Sequence, residues 1–245
     1  MVQLGGGAIY IDAQTSQAKR GETISDTTKI LSSYCDFIAA RVYKHADVVE
    51  MGRVSTVPVI NALSNLEHPT QALTDLYTIK QHFGNFRDLK IAFLGDIAQN
   101  TANSLMLMGA KLGAEIGLIG PFKEHPPNSV YYNKAREYSK VYTDDSLERG
   151  LEDADIVYVD VFVSMGDEAE AEKRKKLFAP FQLNAKAMSY APEKALAMHP
   201  LPAHRGEEIT ADILDGSRSI VWEQAKNKLL MAKAILLYLS MLESE

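Results

Sequence analysis

Short apolar runs alternating with segments of helical period constrain this chain most. Residues 90–95 read Lys-Ile-Ala-Phe-Leu-Gly, an apolar run of strand length, and residues 100–113 behind it place Leu105, Met108 and Leu112 on one helical face. A strand that is apolar on both faces must be covered on both sides. A helix after each strand supplies that cover, so the pattern specifies parallel sheets with covering helices. Strands are expected at 8–11, 36–42, 57–61, 90–95, 114–120, 153–161 and 195–199. Helices are expected at 27–34 behind a Ser25-Asp26 cap, with Ile30 and Leu31 inward, and at 47–52. A longer one at 68–83 turns Ala72, Leu73, Leu76 and Ile79 to one face. Further helices are expected at 100–113, within 123–140, in a short acidic stretch before 153, at 168–178 and at 221–242. In the last, Leu230, Ala234, Leu237 and Met241 recur on one apolar face.

The chain has 245 residues, enough for two modest domains, and Gly84-Asn85 marks the natural break. The division expected is 1–83, 84–220 and a final helix, 221–245. A net charge of −6 leaves no basic surplus for a phosphate backbone, so nucleic acid is not an expected partner. No apolar run approaches the roughly 20 residues of a membrane span, and none is expected. The lone Cys35 cannot form an internal disulfide; it reads as a small buried side chain and suits a reducing, cytoplasmic setting. The opening, Gly5-Gly6-Gly7 and then an apolar run, reads like the inside of a domain and not like a secretory signal.

In such sheets ligands bind where strand carboxyl ends open a crevice. The polar residues after Val42, Asn61, Gly95, Val161 and His199 would gather there. Arg41, at a strand end, can clamp a carboxylate or phosphate, though an exposed arginine often only pairs on the surface. His68-Pro69-Thr70-Gln71 opens a helix, where free N–H groups and the dipole favour an anion or polarised oxygen, though it also fits a plain helix cap. Gly95-Asp96-Ile97-Ala98-Gln99-Asn100 lacks the Gly-x-Gly-x-x-Gly spacing, so no nucleotide cofactor is expected; Asn100 reads as a cap or a ligand. Asp160, ahead of Ser164-Met165-Gly166, could hold an ammonium or belong to an ordinary turn. His199-Pro200-Leu201-Pro202 is a stiff segment whose backbone carbonyls could receive an amine or amide N–H. His199 and His204 have no metal-ligand spacing with other residues, so no metal is expected.

Together these segments resemble the transcarbamylase family. His68-Pro69-Thr70-Gln71, Asn100-Thr101-Ala102-Asn103-Ser104, Asp160 with Ser164-Met165-Gly166, and His199-Pro200-Leu201-Pro202 occur in the family's order over essentially the whole chain. The Ser-Met-Gly turn and residues 169–180 resemble the ornithine branch, whereas His-Pro-Leu-Pro is the aspartate spelling, the ornithine branch usually having cysteine in place of Pro200.

The resemblance implies two parallel-sheet α/β domains with the active site in the cleft between them, built into a homotrimer or a multiple of trimers. It implies carbamoyl phosphate and ornithine as substrates, and no cofactor. Arg41 and His68 would act on the reacting carbonyl. Gln71 and Lys228 would join them in holding carbamoyl phosphate, with Gln17 reaching a neighbouring subunit's site. Lys228 stands where the family usually has arginine, keeping the charge without the fork. Asn100, Asp160, Ser164 and Met165 would hold ornithine, with His199, Pro200 and Leu201 forming the carbonyl loop. The family's Ser-Thr-Arg-Thr-Arg phosphate loop is expected ahead of Met1. Aspartate or another amine as acceptor, and a non-catalytic relative, are the alternatives.

Overall fold

The computed structural model describes residues 1–12, 21–164, 166 and 168–242. All its strand pairings are parallel, as the alternation of apolar runs and helices predicts. A two-stranded sheet pairs β1 (Ile38–Arg41) with β2 (Val59–Leu63), accompanied by α1 (Ile24–Ser32), α2 (His45–Val54) and α3 (Pro69–Phe83). A five-stranded sheet then contains β3 (Lys90–Leu94), β4 (Glu115–Ile119), β5 (Val141–Asp144), β6 (Ile156–Val159) and β7 (Leu196–Met198), in the order β5-β4-β3-β6-β7. Its connections carry α4 (Asn100–Lys111), α5 (Ser129–Ala135), α6 (Leu147–Leu151), α7 (Ala171–Phe178) and α8 (Ala185–Tyr190); α9 (Ala211–Leu214) and α10 (Val221–Leu242) follow β7.

Every residue of β3 and β6 is buried, which is what a central strand covered on both faces requires. On one face Phe93 stacks on Tyr158, ring centroids 5.2 Å apart, beneath Leu105 and Met106 of α4. On the other, Leu94, Val157 and Val159 pack with Phe162 and Phe178. The winding runs outward from β3 to β4 and β5, then returns to β6 and β7 on the opposite side. That reversal opens a crevice at the carboxyl ends of β3 and β6. Among the described residues no helix is long and apolar enough to cross a membrane.

Several local expectations are corrected. Residues 8–11 join neither sheet; Ile9 and Tyr10 are exposed, because an apolar run without a neighbouring ladder has nothing to pair with. Helix α1 is capped by Thr23, whose hydroxyl accepts from the Asp26 N–H, and it buries Thr28 and Ser32, not Ile30. Those two hydroxyls bond carbonyls one turn back, which makes a polar face buriable. Leu112 is exposed, and Ala102, Met106 and Ala110 carry the inner face of α4 beside Leu105. Cys35 is exposed just beyond α1, its thiol 3.1 Å from the Leu31 carbonyl. The edge strand β5 and helix α8 lie where no separate element is expected.

The largest correction concerns α10. Leu237 is 47% exposed and Met241 66%, so the expected apolar face looks outward. The residues α10 buries are Val221, Gln224 and Asn227, and Asn227 bonds Thr78 and Gln81 of α3. Periodicity located the helix but not the face that packs, because the packing is carried by hydrogen-bonded amides.

Candidate active site

The first turn to consider follows β2. Its backbone is locked onto the amino end of α4: the Asn100 side-chain amide donates to the Ser64 carbonyl at 2.8 Å, and that of Asn103 to the Leu66 carbonyl at 3.1 Å. The His68 N–H donates to the Ser104 hydroxyl at 2.8 Å. The turn after β1 is sewn to the same segment, since the Asn65 N–H donates to the Tyr43 carbonyl and the His45 N–H to Asn65 Oδ1. Asn100 therefore does not cap its own helix. It is the first residue of α4, and its side chain reaches back to the neighbouring sheet.

His68 sits at the N-cap of α3, followed by Pro69 at a position where a missing N–H costs nothing. Burial, and then the nearby Lys228 and Arg41 cations, lower its pKa to about 4. The imidazole is thus neutral near pH 7 and can donate one hydrogen bond without adding a third positive charge. Lys228 comes from α10 and donates to the Pro200 carbonyl at 2.5 Å. Its own pKa is lowered, first by burial and also by Arg41, against the pull of Asp75 and Asp160. Arg41 itself is exposed at the end of β1.

Behind these groups lies a buried polar network. Asp75 is fully buried and accepts from Gln71 Nε2 at 2.7 Å, Gln224 Nε2 at 2.6 Å and the Tyr158 hydroxyl at 2.9 Å. Burial raises its pKa to about 7 despite those three donors. Gln71 is fixed by this contact with its nitrogen toward Asp75, leaving Oε1 as the atom that can accept an N–H. Gln224 Oε1 accepts from the His199 N–H at 3.0 Å. His199 Nδ1 accepts from the Leu201 N–H, so Nε2 carries the proton and donates to Glu208 at 3.1 Å. Burial raises the Glu208 carboxyl, but His199 and the His204 N–H outweigh it and hold its pKa below the ordinary value. In the segment between, the Leu201-Pro202 peptide is cis and Leu201 has a left-handed φ of 57°.

On the second sheet, Asp160 directly follows β6, buried, with its carboxylate accepting from the Val161 N–H at 2.7 Å. Burial raises its pKa, while His199, Val161 and a hydrogen bond from Thr101 work against the rise. Ser164 donates to Gln99 Oε1 at 2.8 Å. Gln17 and Met165 fall outside the described residues. Of the other expected site residues, His68, Arg41, Lys228, Asp160 and His199 act on one another electrostatically, Gln71 joins them through Asp75, Pro200 receives Lys228, and Leu201 bonds His199. Asn100 and Ser164 meet the group through adjacent residues of the α4 terminus.

Sequence reasoning missed Asp75, Thr101, Ser104, Tyr158 and Gln224, which hold the site residues in place. It also missed that His204, Glu207 and Glu208 bring ligand atoms within 4.8 Å of one another. Glu208 is engaged by His199 and His204, and Glu207 by Lys175, so these carboxylates already serve the loop. A cavity of about 520 Å³ lies at the amino-terminal edge of the large sheet, away from these residues. Its lysines, Lys90, Lys140 and Lys194, pair with Asp153, Glu115 and Asp155.

Parallel sheets with Arg41, His68 and Lys228 near one set of strand ends and the buried Asp160 at the other form a polar site at the strand carboxyl ends. Two family models match the chain: the aspartate/ornithine carbamoyltransferase carbamoyl-P binding domain over residues 1–81, and the Asp/Orn binding domain over residues 87–239. The chain belongs to the aspartate/ornithine carbamoyltransferase family. It is 46% identical over 240 residues to an ornithine carbamoyltransferase of Pyrobaculum aerophilum, an alignment covering 97% of this chain and 78% of that protein. Against the anabolic ornithine carbamoyltransferase of Pyrococcus furiosus it is 46% identical over 242 residues, covering 96% and 76%. The solved ornithine carbamoyltransferase from Pyrococcus furiosus superposes with a TM-score of 0.89 at 44% identity, covering 96% of this chain and 76% of that one.

Proposed function

We infer that this protein transfers the carbamoyl group of carbamoyl phosphate to the δ-amine of ornithine, giving citrulline and phosphate. The observation that carries the inference is the likeness to ornithine carbamoyltransferases at 46% identity across nearly the whole chain. In this reaction the neutral δ-amine attacks the carbamoyl carbon. The bond from that carbon to the phosphate oxygen breaks, phosphate leaves with the electron pair, and the attacking nitrogen gives up one proton, which the departing phosphate takes.

Arg41 and His68 bear on the carbonyl oxygen, where negative charge grows in the transition state. The neutral state of His68 suits it to that task beside Arg41 and Lys228. Gln71, oriented by Asp75, accepts from the carbamoyl amide, and the carbonyls of the segment His199, Pro200 and Leu201 take its other N–H. Lys228 attends the phosphate, and Gln17 reaches a neighbouring subunit's phosphate site. Asp160 receives the α-ammonium of ornithine, Asn100 its carboxylate, and Ser164 with Met165 encloses the chain between. Holding both reactants this way replaces a bimolecular encounter with an aligned one.

The proposed domains are residues 1–83 for carbamoyl phosphate and 84–220 for ornithine, with 221–245 returning to the first. Hydrogen bonds from Gln224 and Asn227 of α10 to residues of α3 support that return. A homotrimer or multiple of trimers in the cytoplasm is the proposed assembly and place, resting on the family resemblance; sedimentation equilibrium checks the assembly. Aspartate is the second reading for the acceptor, favoured by Pro200 in the His-Pro-Leu-Pro segment. Incubation with carbamoyl phosphate and ornithine decides the main reading: citrulline and phosphate should appear in equal amounts. Phosphate release without citrulline would contradict it.

A further inference from the structure

The Ser164 turn is held in an unusual way. It leaves the core at Phe162, which is buried and whose carbonyl accepts from Arg174 Nε at 3.0 Å. Arg174 also pairs with the buried Asp96, so the route into α7 is fixed at that end. Among the described residues, two contacts constrain the turn beyond Phe162. One is the hydrogen bond from the Ser164 hydroxyl to Gln99 Oε1. The other lies across the cleft, where Gly166, with a φ of 95°, sits against the Tyr43 ring that follows β1. A β-carbon on Gly166 would overlap Tyr43 Cε2 and lie 3.0 Å from both Cζ and the hydroxyl. The turn thus bridges the two sheets, and its left-handed φ beside Tyr43 favours glycine.

Gln99 is 7% exposed although it precedes α4 in a polar loop, and its nitrogen Nε2 is buried without a hydrogen-bond partner. A buried amide in which only the oxygen is used is costly. What that oxygen does is hold Ser164. We propose that Gln99 is a positioning residue for the acceptor: through Ser164 it fixes the turn against Tyr43 and so sets the affinity for the amino-acid substrate. This rests on the reading of Ser164 as an acceptor contact. Gln99 touches neither reactant in this account and acts through the turn alone.

Two measurements on the whole protein test it. In substrate-free protein, Gln99→Leu should speed amide hydrogen exchange in a peptide spanning 161–170, by about three- to tenfold for loss of one hydrogen bond, while β3 and β6 exchange as before. Ser164→Ala should loosen the same peptide, which keeps the test open if Gln99→Leu folds poorly. In turnover, Gln99→Leu should raise the ornithine KM by a similar factor and leave the carbamoyl-phosphate KM unchanged. The Gln99→Leu, Ser164→Ala double variant should be no worse than the more affected single one. Unchanged exchange in 161–170, or effects of the two substitutions that multiply, would overturn the proposal. Absence of citrulline from the wild-type protein would instead strike the assigned reaction, and the exchange measurement would still decide the role of Gln99.

Discussion

The two halves of the site are built differently. The side that faces carbamoyl phosphate in our reading rests on a chain of buried, mutually bonded groups: Gln71, Asp75, Tyr158, Gln224, His199 and Glu208. The side that faces ornithine adds to the fixed Asp160 and Asn100 a turn whose Ser164 bonds Gln99 and whose Gly166 meets Tyr43. A buried network whose groups bond one another has one arrangement, and departures from it are expensive. The contrast sets a donor site of interlocked buried groups beside an acceptor site in which one contact, Ser164, stands on a turn.

The sharpest way to break this contrast is to remove the centre of the network. Asp75→Ala leaves the donors of Gln71, Gln224 and Tyr158 unpaired in the core, and the protein should lose on the order of 3 kcal/mol of stability by urea denaturation. A loss under about 0.5 kcal/mol would mean the network is not what holds the donor side together. Next comes His68→Ala, expected to lower kcat by about 100-fold, as loss of an oxyanion donor does, with the fold intact by circular dichroism. Unchanged turnover would remove His68 from the chemistry.

Gly166→Ala should have a smaller and more selective effect. The strained φ and the overlap with Tyr43 push the turn away, so the ornithine KM should rise by about tenfold with little change in melting temperature. An equal rise in the carbamoyl-phosphate KM would show that the two sides are not separable.

The smallest effect concerns pH. His68 is lowered from 6.5 to about 4, so the stability its neutral form contributes is present above pH 6.5 and is lost as pH falls through 4. Asp75 is raised from 3.8 to about 7, so its contribution is present below pH 3.8 and is lost as pH rises through 7. The two slopes oppose each other across the shared window. His68→Gln leaves only the Asp75 slope. Its stability should therefore fall relative to wild type as pH rises through that window, in urea melts at several pH values.

The fold was legible where the residues formed long regular signals. The unbroken apolar runs at β3 and β6 and the repeat through Ala72, Leu76 and Ile79 of α3 specified buried strands and a covering helix. The chemistry-bearing turns were legible too, because Arg41, His68, Asp160 and His199 each stand at or just beyond a strand end. What stayed hidden was the support. Asp75 and Gln224 lie 149 positions apart, and each reads in sequence as a polar residue on a helix surface. Nothing local marks them as buried partners. The same limit misassigned α10, whose leucines look outward while Gln224 and Asn227 face α3.

The central claim is that this cleft joins carbamoyl phosphate to ornithine, although Pro200 spells the aspartate version of the carbonyl loop. A competition assay reads it directly. With carbamoyl phosphate held constant, kcat/KM for ornithine and for aspartate are measured from citrulline and carbamoyl-aspartate formed in the same mixture. The account predicts that citrulline dominates, by at least about 100-fold, because Asp160 repels a second carboxylate where it would hold an ammonium. Carbamoyl-aspartate as the main product would contradict the assignment of Asp160, Ser164 and Asn100 to an ornithine site.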